Sequence, residues 1–284
     1  MPVVTSRDGT PIVYDMQGTG PALVVVDGAL TVRKSDNKAR LVELLAPRLT
    51  VLTYDRRGRG DSGDTPPYSV AREIEDVAAV IDAAGGSAAL YGHSSGGCLA
   101  LEAALALNEG DAGDRAGVGD GPVVGDGPGA TVTRLAMYEA PYDDDPDAGP
   151  GWHRYLADMT TALEEGRPGD AAALFMAFVG TPAKQIDVMR RAPFWRDIEA
   201  VAPTLAYDHA GLMGTDRSIP AERARAVGVP TLVMYGSEGA PFMAQTAVTL
   251  EKLIPGAELR NIAGEGHNVS AQALAPVLAE FFAR

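Results

Sequence analysis

The segment Leu90-Tyr91-Gly92-His93-Ser94-Ser95-Gly96-Gly97 centres a serine in a Gly-x-Ser-x-Gly turn, with the apolar run Ala88-Ala89-Leu90-Tyr91 before it and an alanine- and leucine-rich helical pattern over 99–107 behind it. A sharp strand-to-helix turn of this type exposes a serine hydroxyl and admits only small residues two positions to either side. Gly92 and Gly96 meet that demand. Ser94 is therefore the candidate nucleophile, and the N–H of Ser95, opening the helix, is a candidate donor to a developing oxyanion. A glycine turn with incidental serines spells the same five letters; the strand before and the helix after favour the catalytic turn.

A serine hydroxyl is a weak nucleophile at neutral pH and needs a base. The chain has four histidines: His93, His153, His209 and His267. His93 sits within the turn, where its ring does not face Ser94 for proton transfer. His153 and His209 fall in a helical stretch and read as surface or core residues. His267 follows a late strand in Ala263-Gly264-Glu265-Gly266-His267-Asn268, just before the last helix. On folds that carry a serine at such a strand–turn–helix corner the histidine comes last in chain order, so His267 is the candidate general base.

Positioning these groups falls to an alternation of short apolar runs and helical patterns. Strands are expected at 12–14, 22–26, 50–54, 88–91, 135–138, 231–235 and 259–262, mostly as continuous apolar runs of the kind buried on both faces of a parallel sheet. Val70, Ile74, Val77, Ala78 and Ile81 share one helical face, ended by Gly85-Gly86; further helices are expected over 99–107, 242–254 and 272–282. The class is α/β, with a mostly parallel central sheet flanked by helices. Two stretches break the rhythm. Residues 108–130 are rich in Gly and Asp and read as a mobile surface loop; they lack the regular period of a calcium repeat. Residues 142–218 carry helical patterns without a strand and hold Trp152, Tyr155, Leu156, Met159, Phe175, Met176, Phe178, Met189, Phe194 and Trp195. A lid over an apolar pocket is the expectation, with a second small core as the plainer alternative. The domain reading is a core of 1–141 and 219–284 with a cap of 142–218.

Composition narrows the function further. Of 284 residues, 46% are hydrophobic and 22% charged, which describes an ordinary globular chain. Twenty-four Lys and Arg against 38 Asp and Glu leave a net charge of −14, which argues against nucleic acid or an anionic membrane as partner. The single cysteine, Cys98, excludes an intramolecular disulfide and a multi-cysteine zinc site. No Gly-Lys-Ser/Thr phosphate loop is present, no apolar run approaches the ~20 residues of a membrane span, and no secretory leader is visible. A cytoplasmic location without metal or cofactor is expected, and a homo-oligomer is compatible with the sequence.

Over nearly its whole length the sequence resembles the α/β-hydrolase superfamily. The turn at 92–96, the segment Tyr54-Asp55-Arg56-Arg57-Gly58-Arg59-Gly60-Asp61-Ser62 and Gly266-His267 carry the resemblance. By resemblance the second of these is a structural turn near the site that does not react. The family's oxyanion loop usually reads His-Gly; here it is Asp27-Gly28-Ala29-Leu30. Because the donor is a backbone N–H, Ala29 or Gly28 can still supply it. Asp27 is expected to fix the loop, turned away or hydrogen-bonded, since a carboxylate at an oxyanion would oppose its charge. The family's common acid position, three residues past Gly236, holds Gly239 here; Glu238 is one out of register, and Glu265 and the run Asp143-Asp144-Asp145 are more distant alternatives. The other location the family uses, after the strand before the lid, holds Glu139. In this acid, in Asp-Gly of the oxyanion loop and in Ser-Ser-Gly of the turn, the motifs are similar to those of zearalenone-type lactone hydrolases. The resemblance implies a Ser94–His267–Glu139 triad, with Glu238 as the alternative acid. It also implies a serine esterase or lactonase acting on a small, apolar ester or lactone. A carbon–carbon bond hydrolase or lyase on the same fold, and a non-catalytic ligand sensor, are the alternatives. Halide displacement is disfavoured, because it needs a carboxylate nucleophile where Ser94 stands.

Overall fold

The computed structural model describes residues 1–109 and 129–283. Most of the Gly- and Asp-rich stretch expected to form a surface loop lies outside them. Eight strands form one sheet: β1 (Val3–Thr5), β2 (Pro11–Gln17), β3 (Ala22–Val26), β4 (Thr50–Tyr54), β5 (Ser87–His93), β6 (Thr131–Tyr138), β7 (Thr231–Gly236) and β8 (Glu258–Ile262). Their spatial order is β1-β2-β4-β3-β5-β6-β7-β8. β1 and β2 pair antiparallel, β2 runs antiparallel to β4, and every pair from β4 to β8 is parallel.

The helices are α1 (Asp36–Leu45), α2 (Val70–Ala83), α3 (Ser95–Glu109), α4 (Gly149–Glu164), α5 (Pro168–Phe178), α6 (Ala183–Met189), α7 (Trp195–Val201), α8 (Ala221–Ala226), α9 (Pro241–Leu253) and α10 (Ala271–Phe282). A short 3₁₀ turn (Ala202–Thr204) and a π-helical turn (Tyr207–Leu212) follow α7. Side chains of β3 alternate between the two faces of the sheet, as strand geometry requires. Val24 and Val26 join the core under α2, α3 and α9, while Leu23 and Val25 join the one under α1 and α10. Both faces are thus covered, which is why the central strands read as unbroken apolar runs.

Three elements escape the sequence reading: the short helix α8, β1 and α1. β1 is only three residues long. α1 is strongly polar, and beyond Lys38 it buries only Leu41 and Leu45; its start is fixed by Ser35, whose hydroxyl accepts the Lys38 N–H. All helices from α4 to α7 lie between β6 and β7 and form an insert without a strand among the described residues. Trp152, Tyr155, Met159 and Trp195 are buried there, whereas Phe194 is 47% exposed. Its aromatic residues pack largely on one another. Trp152, Tyr155 and Phe175 surround His209 with ring centroids 5.0–5.5 Å away, and Phe178 stacks on Tyr155. Among the described residues no helix is long and apolar enough to cross a membrane.

Candidate active site

β3, β5, β6 and β7 are parallel neighbours, so their carboxyl ends open onto one edge of the sheet, the usual place for a site in such folds. The loop at 27–29, Ser94 and Glu139 sit just past the ends of β3, β5 and β6, and His267 lies in the loop after β8, which pairs parallel with β7. β5 finishes at His93 and α3 starts at Ser95, leaving Ser94 alone in the corner with φ of +55°. That left-handed backbone is uncommon for a non-glycine residue and is the kind of strain found at functional sites. The corner is held by the Ser94 N–H donating to the Tyr138 carbonyl (2.9 Å) and the Gly97 N–H donating to the Ser94 carbonyl (2.8 Å). The two flanking glycines have separate reasons. A Cβ on Gly92 would overlap the backbone of Gly96, and one on Gly96 would overlap the Val26 carbonyl of β3.

Glu139 follows β6, also at positive φ (+47°), and its N–H donates to the Met234 carbonyl. Its carboxylate is 1% exposed as a residue and has two partners: Oε1 accepts the Gly236 N–H (3.0 Å) and Oε2 lies 2.7 Å from His267 Nδ1. A carboxylate there fixes the imidazole tautomer, leaving Nε2 as the acceptor. Gly239, the position where the family resemblance expects the acid, lies against Glu139 itself: a Cβ there would overlap Oε1. Glu238 is exposed, and its backbone N–H donates to the Glu265 carbonyl. Glu265 bonds Ser270 (2.5 and 2.9 Å), and Asp143 pairs with Arg217 (2.5 Å). Glu139 is therefore the carboxylate that holds His267.

The loop carrying His267 is braced from below. His93 Nε2 donates to the His267 carbonyl (2.9 Å), the two rings lie 4.8 Å apart, and the Tyr138 hydroxyl donates to the Gly266 carbonyl (2.6 Å). Burial, with the nearby His267, holds the His93 imidazole down at about 4, so it is neutral at pH 7 and acts as a brace. Ser94 Oγ makes no hydrogen bond to a described residue; nucleophile–base contacts commonly tighten only in the Michaelis complex.

The loop after β3 brings Gly28 against the nucleophile, where a Cβ would stand 2.9 Å from Ser94 Cβ. Among the described residues, neither the Ala29 nor the Ser95 N–H donates to another backbone group. Asp27 is turned away from the corner: its buried carboxylate pairs with Lys38 of α1. Burial pushes its carboxyl above the usual range, against the pull of Lys38.

A group that the sequence reading missed lies beneath the loop. Asp208, on the π-helical turn, is fully buried and accepts from Arg56 (2.6 Å), Arg59 (2.5 Å) and the Ser95 hydroxyl (2.8 Å). Burial alone would raise its carboxyl; Arg56 and Arg59 outweigh it and hold it at about 2. The only trace of this in the sequence is a charge amid the apolar run around Leu205 and Leu212. Among the described residues no group of three or more His, Cys, Asp or Glu side chains is arranged to hold a metal ion.

Residues 34–280 match the alpha/beta hydrolase family, and the chain belongs to it. An alpha/beta hydrolase from Sphaerobacter thermophilus DSM 20745 is similar at 45% identity, covering 99% of this chain and 100% of that one, with a TM-score of 0.83. A thermophilic esterase from Thermogutta terrifontis shares the fold at 19% identity, covering 99% of this chain and 97% of its own, with a TM-score of 0.69. An enol-lactonase from Burkholderia xenovorans LB400 does so at 20% identity over the whole of both chains, with a TM-score of 0.61. Family membership makes hydrolysis the supported activity.

Proposed function

We propose that this chain is a serine hydrolase that cleaves an ester or lactone of a small apolar molecule through an acyl-enzyme on Ser94. The observation that carries the reading is the 2.7 Å contact between Glu139 and His267, beside a serine in a strained strand-to-helix corner. The esterase and the enol-lactonase of the same fold support the choice of bond. An apolar substrate follows from reading residues 142–218, rich in Met and aromatic side chains, as the lid.

His267 Nε2 takes the Ser94 proton as Oγ attacks the carbonyl carbon, and Glu139 stabilises the imidazolium that forms. The oxyanion accepts from the N–H groups of Ser95 and Ala29, with Gly28 as the alternative to Ala29; such a donor contributes about 3–4 kcal/mol. Collapse returns the proton to the leaving alcohol and forms the acyl-enzyme. Water, deprotonated by the same imidazole, then attacks the acyl carbon and releases the acid.

The test is labelling by a fluorophosphonate together with turnover of p-nitrophenyl esters and a lactone panel. Ser94→Ala is expected to abolish labelling and lower kcat by about 10⁴-fold or more. Glu139→Gln is expected to lower kcat by roughly 10²–10⁴-fold, with Glu238→Gln within about twofold of wild type. Labelling that survives Ser94→Ala, or turnover confined to carbon–carbon bonds, overturns the reading.

A further inference from the structure

Asp208 belongs to the insert, yet its carboxylate lies under both candidate oxyanion donors. Its Oδ1 accepts from Arg56 Nη1 (2.6 Å) and the Ser95 hydroxyl (2.8 Å), and its Oδ2 accepts from Arg59 Nη2 (2.5 Å). The two arginines each reach on to the loop after β3. Arg56 Nη1 donates to the Asp27 carbonyl (3.1 Å) and Arg59 Nη1 to the Gly28 carbonyl (2.6 Å). In a trans peptide the C=O of one residue and the N–H of the next point in opposite directions. Drawing the carbonyls of residues 27 and 28 toward Asp208 therefore aims the N–H groups of Gly28 and Ala29 away from it. Gly28 at the same time abuts Ser94. Ser95, whose N–H is the other donor, is tied to the same carboxylate through its side chain.

The charges explain why Asp208 cannot be spared. Glu73 pairs with Arg56 through two bonds (2.7 and 2.6 Å), so Arg56 keeps a carboxylate without Asp208. Arg59 is 2% exposed, its Nε has no partner, and Asp208 is the carboxylate bonded to it. Without Asp208, Arg59 is a buried charge with no counter-charge bonded to it, and it must move, releasing the Gly28 carbonyl.

We infer that Asp208 is a positioning residue which, through Arg56, Arg59 and Ser95, sets the direction of the N–H groups that receive the oxyanion. The insert thus completes the catalytic centre from below. The inference rests on the proposed serine-hydrolase reading, and the two fail separately. Fluorophosphonate titration of the wild type tests the reading itself and counts active sites.

The test compares wild type with Asp208→Asn, Asp208→Glu and Ser95→Ala, with kcat expressed per titrated site. Readouts are kcat, KM, the thermal midpoint and the inhibition constant of an aryl trifluoromethyl ketone, whose hemiketal places an oxyanion in the donor site. Asp208→Asn is expected to lose at least about 30-fold in kcat with KM within threefold. The inhibitor is expected to weaken in parallel with kcat/KM, and Asp208→Glu to recover part of the loss. If Asp208→Asn does not fold, Ser95→Ala, which removes one side-chain bond and keeps the backbone N–H, is expected to lose about three- to tenfold in kcat with the same parallel. A merely structural residue would lower the thermal midpoint and the number of titratable sites, leaving kcat per site and inhibitor affinity within threefold of wild type. That result, in either variant, overturns the inference.

Discussion

Glu139 and Gly239 dispute one small volume. The glutamate reaches His267 from the end of β6, and a side chain at 239 would reach the same place from the end of β7, so only one of them can be acidic. Gly239→Asp alone should displace Glu139 and lower kcat by about tenfold or more, because two carboxylates cannot share the site without one taking up a proton. Glu139→Ala combined with Gly239→Asp should recover at least about tenfold over Glu139→Ala, since the tautomer needs a carboxylate and not a particular strand. Steady-state kinetics of the two single variants and the pair decide it, and no recovery would refute the shared-volume argument. At this scale the sequence is informative where a residue acts through its neighbours in the chain. Ser94 is announced by the glycines around it and His267 by the strand it follows, whereas Glu139 is reached only through the family resemblance. Asp208 stays hidden because its partners Arg56 and Arg59 are 152 and 149 residues away, and only the folded chain brings them together.

The elements were legible to the extent that burial imposes a pattern. β3 to β7 are covered on both faces and read as apolar runs, whereas β1 and α1 bury too little to leave one. Within the insert the attachment to the core is uneven. Asp143 and Arg217 bond at its neck through both backbone and side chain (2.9 and 2.5 Å), and Ile219 N–H donates to Asp144 (2.8 Å). Tyr207 stacks on Tyr68 at 4.0 Å, one residue before Asp208. By contrast α6 buries only Ile186 and leaves Val188 69% exposed. Local opening is easiest where few apolar contacts are lost. Motion of the insert should therefore be centred on α6, with the π-helical turn, on which Trp152 and Tyr155 of α4 pack, fixed to the core. Hydrogen exchange should show amides of α6 exchanging at least about tenfold faster than those of residues 208–213; equal protection would rule the division out.

At the scale of the whole molecule, the ionic groups beneath the site make stability depend on pH in a way the sequence does not display. His209 is buried beside Asp208, and Tyr155 bonds its Nδ1 (2.6 Å). Burial holds its imidazole at about 4 against an ordinary 6.5; Asp208 opposes this, and Arg59, Arg217 and Arg56 reinforce it. As pH falls below 6.5 the unfolded chain takes up a proton at residue 209 that the folded chain refuses until about 4. Stability therefore falls with pH across that window, by about 1.4 kcal/mol per pH unit from this one group. Asp208 does not contribute there. Its carboxyl is held at about 2 against 3.8, so its stabilisation is complete above 3.8 and fades only as pH drops toward 2. Asp76, raised to about 6 mainly by burial, acts in the opposite sense, with the folded chain taking up the proton first. The net curve mixes these terms, so a difference between two proteins is the sharper measurement. His209→Gln removes the titration and weakens the Tyr155 contact, which lowers its whole curve by about 1 kcal/mol without tilting it. Urea unfolding between pH 7 and 4.5 should show wild-type stability falling more steeply than that of His209→Gln, by about 1.4 kcal/mol per pH unit below 6.5. Parallel curves would mean that His209 is protonated in the folded protein, and that the aromatic and arginine surroundings do not exclude its charge.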